Sequence, residues 1–120
     1  MITALIVEDS LTDREILTDY LRQSGIAVKS ASSSEEALTM LQSAHPDVVF
    51  LDVVLPGQSG FEFCHSLKTD EKTRDIPIVI CSTKGTEADK LWGSMLGADA
   101  YLAKPLSQQA IAQAVAQLGR

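Results

Sequence analysis

The sequence predicts an α/β domain in three layers, a doubly wound, five-stranded parallel sheet with helices on both faces. Three observations predict it. Short apolar runs alternate along the chain with segments whose apolar residues recur at helical spacing. The runs are close to continuously apolar, as strands covered on both faces are, rather than alternating apolar and polar. The 120 residues contain no repeat, linker or low-complexity tract, which fits one domain spanning residues 1–120.

The elements follow in order. Thr3 to Val7 is the first strand. Ser10, with Asp13 three residues on, resembles a capping box, and Leu17, Tyr20, Leu21 and Ser24 repeat at helical spacing until Gly25 ends the helix. A weaker strand follows at Ile26 to Ser30. Ser33 with Glu36 opens a second helix whose inner face reads as Ala37, Leu38, Leu41 and Ala44, stopped by Pro46. Asp47 to Leu51 is the third and most apolar strand, and Phe61 to about Thr69 is a short third helix. Pro77 starts a fourth strand that runs through Ile78 to Ser82, and Glu87 to Leu96 is a fourth helix ended by Gly97. Ala100 to Leu102 is a short fifth strand, and Ser107 caps a last helix with Ile111, Val115 and Leu118 inside.

Ten Lys and Arg against sixteen Asp and Glu leave a formal charge of −6, which repels nucleic-acid phosphates and anionic lipid and argues against both as partners. No apolar run approaches the length of a membrane span, and the start lacks a basic segment followed by an apolar one. Cys64 and Cys81 have no CxxC spacing and read as reduced core thiols. A soluble, cytoplasmic protein is expected.

Chemical marks stand where apolar runs stop. Glu8 and Asp9 follow Thr3 to Val7, Asp52 follows Asp47 to Leu51, Thr83 follows Ile78 to Ser82, and Lys104 follows Tyr101 to Ala103. Ligands of open α/β sheets bind at the carboxyl ends of the strands, so this phasing gathers three carboxylates, a hydroxyl and an ammonium into one pocket. One strand ending in Asp means little, since the residue serves equally as a turn or helix cap. The concurrence of four endings with complementary chemistry carries the argument.

Glu8-Asp9, Asp52 followed by Leu55-Pro56 and Gly60, Thr83, Tyr101 and Lys104-Pro105 resemble, in order and spacing, the receiver domain of bacterial two-component response regulators, the CheY-like group. The likeness spans essentially the whole chain. It implies a flavodoxin-like strand order 2-1-3-4-5 and phosphorylation of an aspartate, Asp52, by a partner histidine kinase. It also implies Mg²⁺ held by Asp9, Asp52, Glu8 through water and the backbone carbonyl of Val54, and a cis Lys104-Pro105 bond.

The residues support that chemistry in their own right. A carboxylate such as Asp52 can attack a phosphoryl group to give an acyl phosphate. Glu8 and Asp9 crowded against it are unfavourable without a cation, and Mg²⁺ prefers carboxylate, water and phosphate oxygens. Phosphoryl transfer asks for positioning and charge stabilisation, so the metal, Lys104 and the Thr83 hydroxyl with backbone N–H groups would each take one oxygen. His45 and His65 lie away from the strand ends and read as surface residues. Thr83 and Tyr101 are the expected switch pair, and the face of the fourth helix, fifth strand and fifth helix the expected readout to a downstream protein target.

Lys84 departs from the small residue often found after the hydroxyl position. The last helix exposes Gln and Ala rather than charged residues, which favours a monomer over a charge-stapled dimer. With no residues left for an output domain the chain reads as a stand-alone regulator, not an enzyme beyond its own phosphorylation and dephosphorylation. Thr83-Lys84 with Lys90-Leu91-Trp92-Gly93 resembles regulators of pilus motility and phototaxis. A non-phosphorylated interaction module and a receiver fragment of a larger regulator stay open as alternatives. A dehalogenase-type phosphatase expects a second Asp where Val54 stands, and a flavodoxin-type cofactor site is opposed by the carboxylates of Glu8-Asp9.

Overall fold

The computed structural model describes residues 2 to 118. Five strands, β1 (Thr3–Val7), β2 (Ala27–Ala31), β3 (Val48–Leu51), β4 (Ile78–Ser82) and β5 (Ala100–Ala103), alternate with five helices. These are α1 (Leu11–Gln23), α2 (Ser34–Leu41), α3 (Gly60–Thr69), α4 (Glu87–Met95) and α5 (Gln108–Leu118). Every strand pair is parallel, and the order is β2-β1-β3-β4-β5, the one the receiver resemblance implies. The chain reverses its direction of build at β1 and β3, which opens a crevice at their carboxyl ends.

Strand residues alternate between two cores because successive side chains point to opposite faces. Ala4, Ile6, Phe50, Val79 and Cys81 pack against Leu17 and Leu21 of α1 and Ile111 of α5. Leu5, Val7, Val49, Leu51, Ile78 and Ile80 pack against Ala37 of α2 and Phe63, Cys64 and Leu67 of α3. Both cysteines are buried and free, and burial pushes the Cys64 thiol up to about 11 and the Cys81 thiol further. Among the described residues no helix is long and apolar enough to cross a membrane.

The expected helix faces need correction at three residues. Ser24 is the exposed C-cap of α1 rather than part of its inner stripe. In α2 the buried residues are Ser34 and Ala37, with Met40 and Leu41 partly covered. Leu38 is 49% exposed, and Ala44 lies past the helix end in solvent. A helix this short buries a narrow arc, and Leu38 sits about 100° round the axis from Ala37.

One glycine joins the sheet to its carboxyl-end loop. A Cβ on Gly60, the first residue of α3, would stand 1.9 Å from the Asp52 carbonyl oxygen and 2.7 Å from Val53 Cα, and the Gly60 N–H donates to the Val53 carbonyl at 2.7 Å. The start of α3 therefore rests on the backbone of Asp52 itself. Gly60→Ala is expected to cost about 1–3 kcal/mol in urea unfolding, as overpacking against backbone does. Wild-type stability would show that the loop yields freely.

Candidate functional site

The register sets the site. Val7 of β1 lies opposite Leu51 of β3, so the next residues, Glu8 and Asp52, leave the sheet side by side. One carboxylate oxygen from each of Glu8, Asp9 and Asp52 lies within 4.8 Å of the others. Glu8 and Asp52 are buried, whereas Asp9 is exposed at the rim.

Lys104 reaches this cluster from beyond β4. Ser82 pairs with Ala103 at the last step of the β4–β5 ladder, and the Lys104 N–H then donates to the Ser82 carbonyl at 2.9 Å. The Lys104-Pro105 bond is cis, as the resemblance implies. The ammonium stands 2.6 Å from Glu8 Oε1, 2.9 Å from Asp13 Oδ2 and 3.5 Å from Asp52 Oδ2. Asp52 Oδ1 accepts the Val53 N–H at 2.7 Å, which leaves Oδ2 facing Lys104.

Carboxylates outnumber the ammonium in this cluster. Burial pushes the Glu8 carboxyl up from 4.5 to about 7; the Lys104 hydrogen bond pulls the other way without cancelling it, and the Asp52 carboxylate adds to the rise. Burial works against the Lys104 ammonium as well, yet hydrogen bonds to Glu8 and Asp13 and the charge of Asp52 lift it above the usual lysine range. Glu8 holds its proton more tightly chiefly because it is buried, and Lys104 because carboxylates surround it. Several clustered carboxylate oxygens form the donor set of a hard divalent cation, so the residues fit Mg²⁺ chemically.

The structure brings Glu8, Asp9, Asp52 and Lys104 together. Val54 lies two residues past Asp52 in an exposed loop, and among the described residues its carbonyl takes no hydrogen bond. Thr83 is not brought in: it is exposed beyond the end of β4 and makes no hydrogen bond among the described residues. The hydroxyl that β4 delivers is Ser82, fully buried and accepting the Lys84 N–H at 3.1 Å. The expectation for Thr83 is thus off by one residue, because the strand carries a hydroxyl at its last position and another just past it.

Tyr101 is half-buried, and burial raises its phenol. Its ring stacks on Phe61 at 6.4 Å with a 29° interplanar angle, and its hydroxyl donates to the Lys84 carbonyl. Gly93 of α4 lies flush on that ring, where a Cβ would stand 2.9 Å from Cδ2. Ser82 and Tyr101 therefore meet at the segment joining β4 to α4. Asp13 also escaped the sequence reading as a site residue, since its signal was absorbed by the capping pattern of α1.

The sequence matches the response regulator receiver domain over residues 4–116. The chain belongs to that family. Receivers of this family take phosphate from histidine kinases, act on downstream targets and generally bind Mg²⁺ at an acidic pocket. The receiver is 36% identical over 115 residues to protein PilH of Pseudomonas aeruginosa, covering 96% of this chain and 95% of PilH. It is 40% identical over 105 residues to the phosphate regulon transcriptional regulatory protein PhoB of the same organism, covering 88% of this chain and 46% of PhoB, so it spans about half of that relative. The chemotaxis response regulator CheY4 of Vibrio cholerae superposes with a TM-score of 0.90 at 29% identity, covering 98% of each chain.

The raised Glu8 carboxyl gives this receiver a definite pH signature without divalent cation. The folded state holds that proton more tightly than the unfolded chain, so the group's contribution to stability is complete below about 4.5 and is lost as pH rises through about 7. Chemical denaturation of chelator-treated protein should show wild type losing stability relative to Glu8→Gln across that window. A constant difference would place Glu8 in the ordinary carboxylate range.

Proposed function

We propose that this receiver accepts a phosphoryl group on Asp52 from a histidine kinase, with Mg²⁺ held among Glu8, Asp9, Asp52 and the Val54 carbonyl. The observation that carries the reading is the convergence of the Lys104 ammonium on the carboxylates of Glu8 and Asp52. An oxygen of Asp52 forms the new bond to phosphorus while the donor's bond to phosphorus breaks, the donor keeping the electron pair. Oδ2 suits that role because Oδ1 is already engaged by the Val53 N–H. Bound Mg²⁺ would supply charge neutralisation for the phosphoryl oxygens. Lys104 takes a further share of that charge, and the Ser82 hydroxyl, in the place expected for Thr83, closes on a remaining oxygen. Chemistry stays on the chain itself, and water later cleaves the acyl phosphate.

The output follows from what Ser82 gives up. Turning its hydroxyl to the phosphoryl group releases the Lys84 N–H, and Lys84 is also the residue whose carbonyl holds Tyr101. Tyr101 and the β4–α4 segment then rearrange together and alter the face of α4, β5 and α5. Leu91, Trp92 and Met95 of α4 are exposed and provide apolar area for a protein target. A role in motility or taxis is supported by the similarity to PilH over nearly the whole of both chains and to the chemotaxis regulator CheY4.

Acetyl phosphate with Mg²⁺ tests the acceptor. Intact mass is expected to rise by one phosphoryl group in the wild type and not at all in Asp52→Asn. An unmodified wild type, or equal modification of both proteins, contradicts the reading.

A further inference from the structure

Asp13 occupies the third position of α1, where an acid after a Ser or Thr cap ordinarily reaches back to the cap's own N–H. α4 shows the complete arrangement: Thr86 Oγ1 accepts the Asp89 N–H at 3.1 Å, and Asp89 Oδ2 accepts the Thr86 N–H at 3.3 Å. α1 forms only half of it. Ser10 Oγ accepts the Asp13 N–H at 3.3 Å, but the Ser10 N–H goes to Glu8 Oε2 at 3.3 Å. The Asp13 carboxylate is diverted to the Lys104 ammonium at 2.9 Å.

We propose that Asp13 is a positioning residue that holds the Lys104 ammonium in the resting receiver and competes with the phosphoryl group for it. The inference rests on the reading of Asp52 as phosphoacceptor. Of the carboxylates around the ammonium, Glu8 and Asp13 hold it at 2.6 and 2.9 Å, and Asp52 is the most distant at 3.5 Å. Lys104 is therefore held closer to these two acids than to the acceptor. Glu8 is 5% exposed at its side chain, whereas Asp13 is 40% exposed. Water rehydrates Asp13 at little cost when the ammonium leaves, so this is the contact surrendered as Lys104 turns to a phosphoryl oxygen. Asp13 thus favours the unphosphorylated state and sets how readily the modified state forms.

The signs for cation and anion are opposed. Without the Asp13 charge the pocket is less negative, and Lys104 settles further onto Glu8 and Asp52, so a divalent cation binds less well. A phosphoryl mimic binds better, because its rival for the ammonium is gone. General damage to the site would weaken both.

Isothermal titration of wild type, Asp13→Asn and Asp13→Glu with Mg²⁺ alone, and with beryllofluoride at saturating Mg²⁺, reads the two signs. Asp13→Asn is expected to bind beryllofluoride about two- to fivefold more tightly, the range of partly exposed ion pairs, and Mg²⁺ more weakly. Asp13→Glu, which keeps the carboxylate, is expected to restore wild-type values. Wild-type behaviour of Asp13→Asn, or weakening of both ligands together, overturns the role of Asp13 and leaves the acceptor reading standing. A wild type that binds no beryllofluoride overturns the acceptor reading and this inference with it.

Discussion

One ammonium among several carboxylates is the interaction on which the rest of the structure depends. The β1–β3 register forces Glu8 and Asp52 out of the sheet together, and Asp9 completes the group. Burying two carboxylates is costly unless charge is supplied, and Lys104 supplies one unit of it. Burial, with the Asp52 carboxylate adding to it, still leaves the Glu8 carboxyl raised to about 7. The site is thus short of positive charge, and its carboxylate oxygens fit the donor set of a divalent cation.

The same construction links the site to a surface. Lys104, just past the end of β5, donates its N–H to the Ser82 carbonyl of the adjacent β4, and Ser82 also touches the β4–α4 segment through the Lys84 N–H. Tyr101 closes the circuit by binding the Lys84 carbonyl while its ring fills the space between Phe61 and Gly93. Asp52 thus stands at one end of a small set of hydrogen bonds whose other end is the β4–α4 segment.

Much of this is legible in the sequence. The strands are, because runs such as Val48–Leu51 and Ile78–Ser82 are too apolar to belong anywhere but a covered sheet. Asp52 and Lys104 are, because each follows such a run directly. The same covering hides the phase within a strand: β4 is buried at all five residues, so no polar alternation tells Ser82 from Thr83 as the inward hydroxyl. Only the pairing of Ser82 with Ala103, one residue before Lys104, fixes it. Leu38 escapes for the opposite reason, since a two-turn helix offers several plausible arcs and tertiary packing selects one. Asp13 escapes because a cap acid and a site acid look alike until the partner of the carboxylate is known.

The central claim, that the Lys104 ammonium is the resident counter-ion of the buried acids, is tested most directly by following the Glu8 carboxyl with ¹³C NMR in metal-free wild type and Lys104→Met. The account predicts titration at about 7 in the wild type and a distinctly higher value once the ammonium is removed. A Glu8 carboxyl that titrates with ordinary glutamates and ignores the loss of Lys104 would contradict it.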